Sequence, residues 1–151
     1  MSVLIFVDQS EGHIKKASFE ALTYGVKVAE QLGTTAEALV LGSVSDDLAS
    51  LGKYGVKKVH QVNNASLNQL DAQVYAKVIA EAATQSGANV VVFSHNQTGK
   101  AVAARVAVRL KAGLVAGACA LPDTSNGFVV RKTVFSGKAF ANVSITSAVK
   151  V

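Results

Sequence analysis

Short apolar runs rich in β-branched residues alternate with segments of helical period along this chain, and few folds accept that order. A run such as Val90-Val91-Val92-Phe93 suits a strand buried on both faces, and strands separated by helices pair in parallel with helices packed on either side. The alternation predicts an α/β fold: a three-layer, Rossmann-like, doubly wound and mainly parallel sheet. Strands are expected at residues 3–8, Ala36 to Leu41, Lys57 to Val62, Val90 to Phe93 and Leu114 to Leu121.

The spacing predicts a first helix from Lys16 to Leu32, with Leu22, Val26, Ala29 and Leu32 on one face and Gly33 ending it. Ser45, Asp46 and Asp47 offer caps for a short helix through Leu51, which Gly52 and Gly55 break. Residues 63–69 read as a polar connector. A further helix follows from Leu70 to Ser86, with Leu70, Val74, Val78 and Ala82 recurring every fourth residue. Another runs from Gly99 to Ala112. Beyond Pro122 the pattern changes, because residues 127–135 and 138–149 read as strands with no helix between them. Ser136-Gly137 joins them into a C-terminal antiparallel hairpin added to the parallel sheet. Ala139, Ala141, Val143 and Ile145 alternate with polar residues, as expected when one face is covered and the other is wet. The last five residues still look like strand.

At 151 residues, half of them hydrophobic, the chain can bury one sizeable core, and nothing in the sequence divides it in two. A single domain over residues 1–151 is the expectation. The run Val3 to Val7 is too short to span a bilayer and lacks the leader and cleavage site of a secretory signal, so no membrane insertion and a cytoplasmic location are expected. Fifteen Lys and Arg against ten Asp and Glu leave a net charge of +5. Those basic residues are scattered and the aromatics form no stacking platform, which argues against nucleic acid and for an acidic protein partner. Cys119 lies in an apolar run and reads as a buried, inert thiol.

Asp8 ends the first strand, so its carboxylate falls at the carboxyl edge of the sheet near the expected topological switch point. There it could hold a ribose hydroxyl; the competing reading is a turn-forming Asp. Across that point His95, Asn96, Gln97, Thr98 and Gly99 open a helix whose first N–H groups can receive an anion. His95, Thr98 and Gly99 are therefore the companion candidates for cofactor contact. Neither G-x-G-x-x-G nor a P-loop occurs, and His13, His60 and His95 have no ligand-spaced neighbours that would make a metal site. Arg105 and Arg109 share one flank of a helix, where like charges call for a carboxylate partner or for water. The residues offer no nucleophile and base that can be paired, and so no catalytic site.

Several segments together resemble the N-terminal domain of the electron transfer flavoprotein alpha subunit, over nearly the whole chain. Val3 to Asp8, Ser18 to Leu22 and Ala36 to Gly42 are similar to that family's opening strand, helix and strand. More specific are Thr98-Gly99-Lys100, Ala104-Arg105-Val106-Ala107 and Leu110 to Val115, followed by the late hairpin Arg131 to Val143 with its turn glycine at Gly137. Two positions depart: Ala104 stands where many members carry proline, and Gly117 where many carry aspartate. The resemblance implies an electron carrier subunit, not an enzyme. It implies a heterodimer with a beta subunit that takes electrons from flavin dehydrogenases, such as those acting on acyl-CoA, and passes them to a membrane-bound quinone oxidoreductase. It also implies that FAD is held mainly by a second, C-terminal domain whose motifs have no counterpart here, so no cofactor is expected in this chain alone. The implied role of this domain is scaffolding, with Arg105, Arg109 and Arg131 as docking residues. A stand-alone adenine-nucleotide-binding domain similar to universal stress proteins is the alternative that Asp8 leaves open.

Overall fold

The computed structural model describes residues 1–151. Strand β1 (Ser2–Val7) is followed by a small antiparallel pair, β2 (Gln9–Ser10) and β3 (His13–Ile14), then by helix α1 (Lys16–Gln31) and strand β4 (Thr35–Leu41). A 3-10 helix over Leu48–Tyr54, strand β5 (Lys58–Val62) and a 3-10 turn over Ala65–Leu67 lead to helix α2 (Ala72–Gln85). Strand β6 (Ala88–Val92) and helix α3 (Gln97–Leu110) complete the alternating part, and β7 (Val129–Val134) with β8 (Ala139–Ser144) forms the late hairpin.

Four strands pair in parallel in the order β5-β4-β1-β6. β1 sits inside and is buried along its whole length, because the pleat sends alternate side chains into two separate cores. Val3, Ile5 and Val7 join Leu22, Val26 and Ala29 of α1 on one face. Leu4 and Phe6 meet Ala76, Ile79 and Ala83 of α2 and Val102 and Val106 of α3 on the other. The strand order reverses at β1, so chain crossovers leave in opposite directions from β1 and β6 and a crevice opens between their carboxyl ends.

Several boundaries differ from the sequence reading, each for a local reason. Asp71 caps α2 from outside by accepting the N–H groups of Gln73 and Val74 at 2.8 and 3.1 Å, so Leu70 lies before the helix. The buried face of α2 is Tyr75, Ala76, Ile79, Ala80 and Ala83, while Leu70 and Val74 are exposed. A strict four-residue spacing drifts around a helix of 3.6 residues per turn, so the expected stripe selected a flank of the buried face. Asp47 caps the short helix, which is of the tighter 3-10 type and ends at Gly55 with φ 98°.

The expected fifth strand at Leu114 to Leu121 does not form. Its place beside β6 is taken by the chain's last residues, since Val91 N–H donates to Lys150 O at 2.8 Å and Lys150 N–H to Asn89 O at 2.9 Å. Only Gly113 to Val115 lies alongside, on the far side of Val151. Gly117, at φ 75°, then turns the segment off the sheet, so that it straps across to β7, where Ala118 pairs with Lys132. The strand expected at the C-terminus is reduced to isolated bridges at Lys150, since β8 ends at Ser144 and residues 147–149 bend. The hairpin is a separate two-stranded sheet, tied to the body by Phe128, Val130 and Ile145 in the α1-side core.

Close contact of α1 with β1 depends on Gly25, where a Cβ would stand 2.5 Å from Ile5 Cγ1. Alanine there gains about 1 kcal/mol of helix propensity but overpacks a dense core, at a cost of about 1–3 kcal/mol. Gly25→Ala is expected to lower stability by about 1 kcal/mol in urea unfolding, with an unchanged m-value.

Candidate functional site

The crevice between β1 and β6 is built from groups that close on one another. Asp8 is 4% exposed, and its Oδ2 accepts from Lys15 Nζ at 2.8 Å and from Asn96 Nδ2 at 3.0 Å. Lys15 Nζ also lies 3.4 Å from Thr98 Oγ1, which ties the loop before α1 to the start of α3. Ser18 Oγ accepts from Asp8 N–H at 2.9 Å and donates to Asp8 O at 3.0 Å. Ser94 Oγ donates to Ala17 O at 2.9 Å, a third link across the crevice.

The start of α3 is occupied in the same way. Asn96 Oδ1 accepts the Gly99 N–H at 2.8 Å, so the cap uses a donor that an anion would need. Gly99 is required there for a steric reason, because a Cβ would meet Ser94 O at 1.9 Å. Asp8, Thr98 and Gly99 are thus brought together, and Thr98 and Gly99 are buried with Asp8. His95 stays exposed and lines the neighbouring cleft, its Nε2 3.9 Å from where a Cβ on Gly117 would stand. Lys15, Ser18 and Asn96, which complete the network, were not singled out from the sequence. Lys15 reaches Asp8 only through the β2–β3 turn, and that small hairpin has no apolar period to announce it.

This arrangement does not fit a nucleotide or a flavin dinucleotide at the crevice. The carboxylate that would take a ribose hydroxyl is already paired with a cation and an amide, and no glycine-rich loop curls over the position of a phosphate. Breaking a charge-assisted pair of this kind costs about 1.5–3 kcal/mol per bond. A ligand would have to repay that before gaining anything.

A cleft of about 490 Å³ opens beside this network, between α1, the outer edge of β6, the strap at 114–118 and the hairpin. Its walls are mainly apolar, with Val92, Val115 and Val130 among them. Tyr24 stands at its rim and donates to Ala120 O at 3.1 Å. Burial, and to a lesser degree the neighbouring Cys119, pushes the Tyr24 phenol above its ordinary value. Cys119 is itself exposed, contrary to the expectation of a buried thiol, and its Sγ lies 3.3 Å from Arg131 O. The apolar run that suggested burial belongs to the strap, which lies on the surface instead of entering the sheet as a strand.

Two of the three histidines meet one carboxylate each: His13 Nδ1 lies 2.9 Å from Asp46, and His60 Nε2 lies 2.6 Å from Glu37. The Ile14 N–H, and after it His13, holds the Asp46 carboxyl below the usual range. No three His, Cys, Asp or Glu side chains gather as a metal site would need. Arg105 donates to Ala101 O of its own helix at 2.6 Å, and neither it nor Arg109 meets a carboxylate. Arg131 lies over the Phe140 ring, 4.0 Å from its centroid. No helix is long and apolar enough to cross a membrane.

Fold and crevice together define a doubly wound α/β domain whose switch point is sealed by its own side chains. The chain belongs to the electron transfer flavoprotein domain family, whose model matches residues 3–151. Protein FixB of Clostridium saccharobutylicum is 30% identical over 144 residues, which cover 94% of this chain and 43% of that protein. Electron transfer flavoprotein subunit alpha of Syntrophomonas wolfei is 30% identical over 142 residues, 93% of this chain and 44% of its own length. Acryloyl-CoA reductase electron transfer subunit beta of Anaerotignum propionicum is 28% identical over 128 residues, 84% of this chain and 35% of that protein. The chain therefore spans less than half the length of these curated relatives. A universal stress protein from Archaeoglobus fulgidus superposes at TM-score 0.44 and 15% identity, over 74% of this chain and 90% of its own. The resemblance to the electron transfer flavoprotein alpha subunit stands.

Two outcomes follow for the site. Asp8→Ala leaves Lys15 free to hydrate but strips Asn96 of an acceptor, and is expected to cost about 2 kcal/mol in urea unfolding. Ellman's reagent is expected to titrate Cys119 in the native protein as readily as after unfolding, whereas a buried thiol would react only once unfolded.

Proposed function

We propose that residues 1–151 form a single scaffold and docking domain of an alpha-type electron transfer flavoprotein. The observation that carries this reading is the sealed switch point: where a nucleotide-binding relative of this fold would keep an open crevice, Asp8, Lys15 and Asn96 bond to one another. Such a domain contributes no reacting atoms. Its work is to hold shape, and the closed network stiffens the end of the sheet from which α1 and α3 depart.

The partner in this proposal is the beta subunit, and FAD, which supplies the redox chemistry when bound, is held mainly by polypeptide other than these residues. Electrons come from flavin dehydrogenases, among them those acting on acyl-CoA, and leave to a quinone oxidoreductase; the assembly works in the cytoplasm. Support for acyl-CoA-linked clients comes from the relative named as an electron transfer subunit of acryloyl-CoA reductase. A second relative is named as a subunit of a lactate dehydrogenase that uses NAD(+) and ferredoxin, which widens the range of clients the family name covers. The docking residues proposed are Arg105, Arg109 and Arg131, three exposed cations with no carboxylate partner in the chain.

The test is reconstitution. The purified chain should be colourless in the visible flavin bands, give no heat on titration with AMP, and elute with an electron transfer flavoprotein beta subunit as a complex with one copy of each. Bound flavin, micromolar AMP binding, or separate elution of the two proteins would each contradict the proposal.

A further inference from the structure

The β7–β8 hairpin spends conformational and hydration energy on display. Val134 and Ala139 close it, and the chain turns through Phe135, Ser136 and Gly137 at φ 52°, 51° and 85°. Gly137 takes such a backbone freely; an aromatic residue does not, and a left-handed Phe is an outlier that calls for a reason. Phe135 gains no burial from that strain, since its side chain is 83% exposed at the tip. Phe140 is the second exposed aromatic of the hairpin, and Arg131 already covers one of its faces. That stack pre-sets a flat surface, apolar at its centre and cationic at its margin, before any partner arrives.

Charge narrows the choice of partner. Between Val129 and Ser144 the hairpin carries Arg131, Lys132 and Lys138 and no Asp or Glu. Two such hairpins face to face repel, which disfavours a second copy of this chain. Single-stranded nucleic acid needs several free aromatic faces in a row; here Phe140 is stacked and Phe135 alone is free. An acidic protein surface with an apolar recess matches both the charge and the single protruding ring.

We propose that this hairpin anchors the domain to its partner subunit, with Phe135 seated in an apolar recess and the Arg131–Phe140 stack against its acidic rim. The proposal rests on the docking role argued above and adds which part of that surface carries most of the affinity: the hairpin, ahead of the α3 flank. It is tested by measuring the dissociation constant of the complex between the purified chain and an electron transfer flavoprotein beta subunit, by biolayer interferometry at two salt concentrations. Phe135→Gly removes the ring and relieves the left-handed backbone, so it should weaken binding tenfold or more while leaving the melting temperature unchanged or raised. Arg131→Glu should weaken binding at least fivefold, mostly at low salt, and by more than Arg105→Glu does. Wild-type affinity in both hairpin variants, or a larger loss in Arg105→Glu, overturns the hairpin as anchor while the docking role survives. Failure of the wild-type chain to bind overturns both. Loss of single-stranded oligonucleotide binding in Phe135→Gly, with beta-subunit binding intact, overturns the choice of partner.

Discussion

Water reaches neither face of β1, and the rest of the structure is arranged to keep it away. Each residue of that strand is buried, so both faces need a cover of helices and both edges need a paired strand. Those demands fix α1 on one side and α2 with α3 on the other, and they leave β4 and β6 as the only neighbours. The switch point then lies where β1 and β6 end, and whatever side chains follow those strands are brought together there. In this chain they are Asp8, Lys15, Asn96 and Thr98.

Close by, the fold admits two different kinds of gap. The crevice at the strand ends is polar and shut, because a carboxylate, an ammonium and an amide satisfy one another at hydrogen-bond distance. The cleft along the outer edge of β6 is apolar and open, because the strap at 114–118 pairs there only at Val115, with Val151, and leaves the sheet at Gly117. A sheet normally fills such a space with another full strand. Here a few residues at the C-terminus occupy the edge instead, and the glycine at 117 turns the competing segment away.

Much of the architecture was legible in the residues. β1, β4, α1 and α3 carry strong patterns, and Gly33 marks a helix end by chemistry that depends only on neighbours in the chain. Leu114 to Leu121 misled because apolar content signals burial without naming the place, and pairing with β6 was decided by competition with a segment some thirty residues away. Cys119 was misjudged along with that strand. Of the site, Asp8, Thr98 and Gly99 were found from their positions at element ends. Asn96 was placed only in the turn, since its hydrogen bond to Asp8 spans 88 residues and leaves no trace in local composition, and Lys15 was missed because the small β2–β3 hairpin that returns it to Asp8 has no apolar period.

From the sequence alone came the fold class, the first strand, the family resemblance and the absence of a phosphate-binding loop, all properties of patterns a few residues to a few tens of residues long. Tertiary structure decided which segment lies against β6, that the carboxylate at the switch point is already taken, and that Arg131 stacks on Phe140 while Phe135 stands exposed at the hairpin tip. The division has a physical cause. Periodicity and capping are local energies that every short window reports, whereas edge pairing and side-chain satisfaction depend on which distant groups arrive first within 3 Å or so of one another.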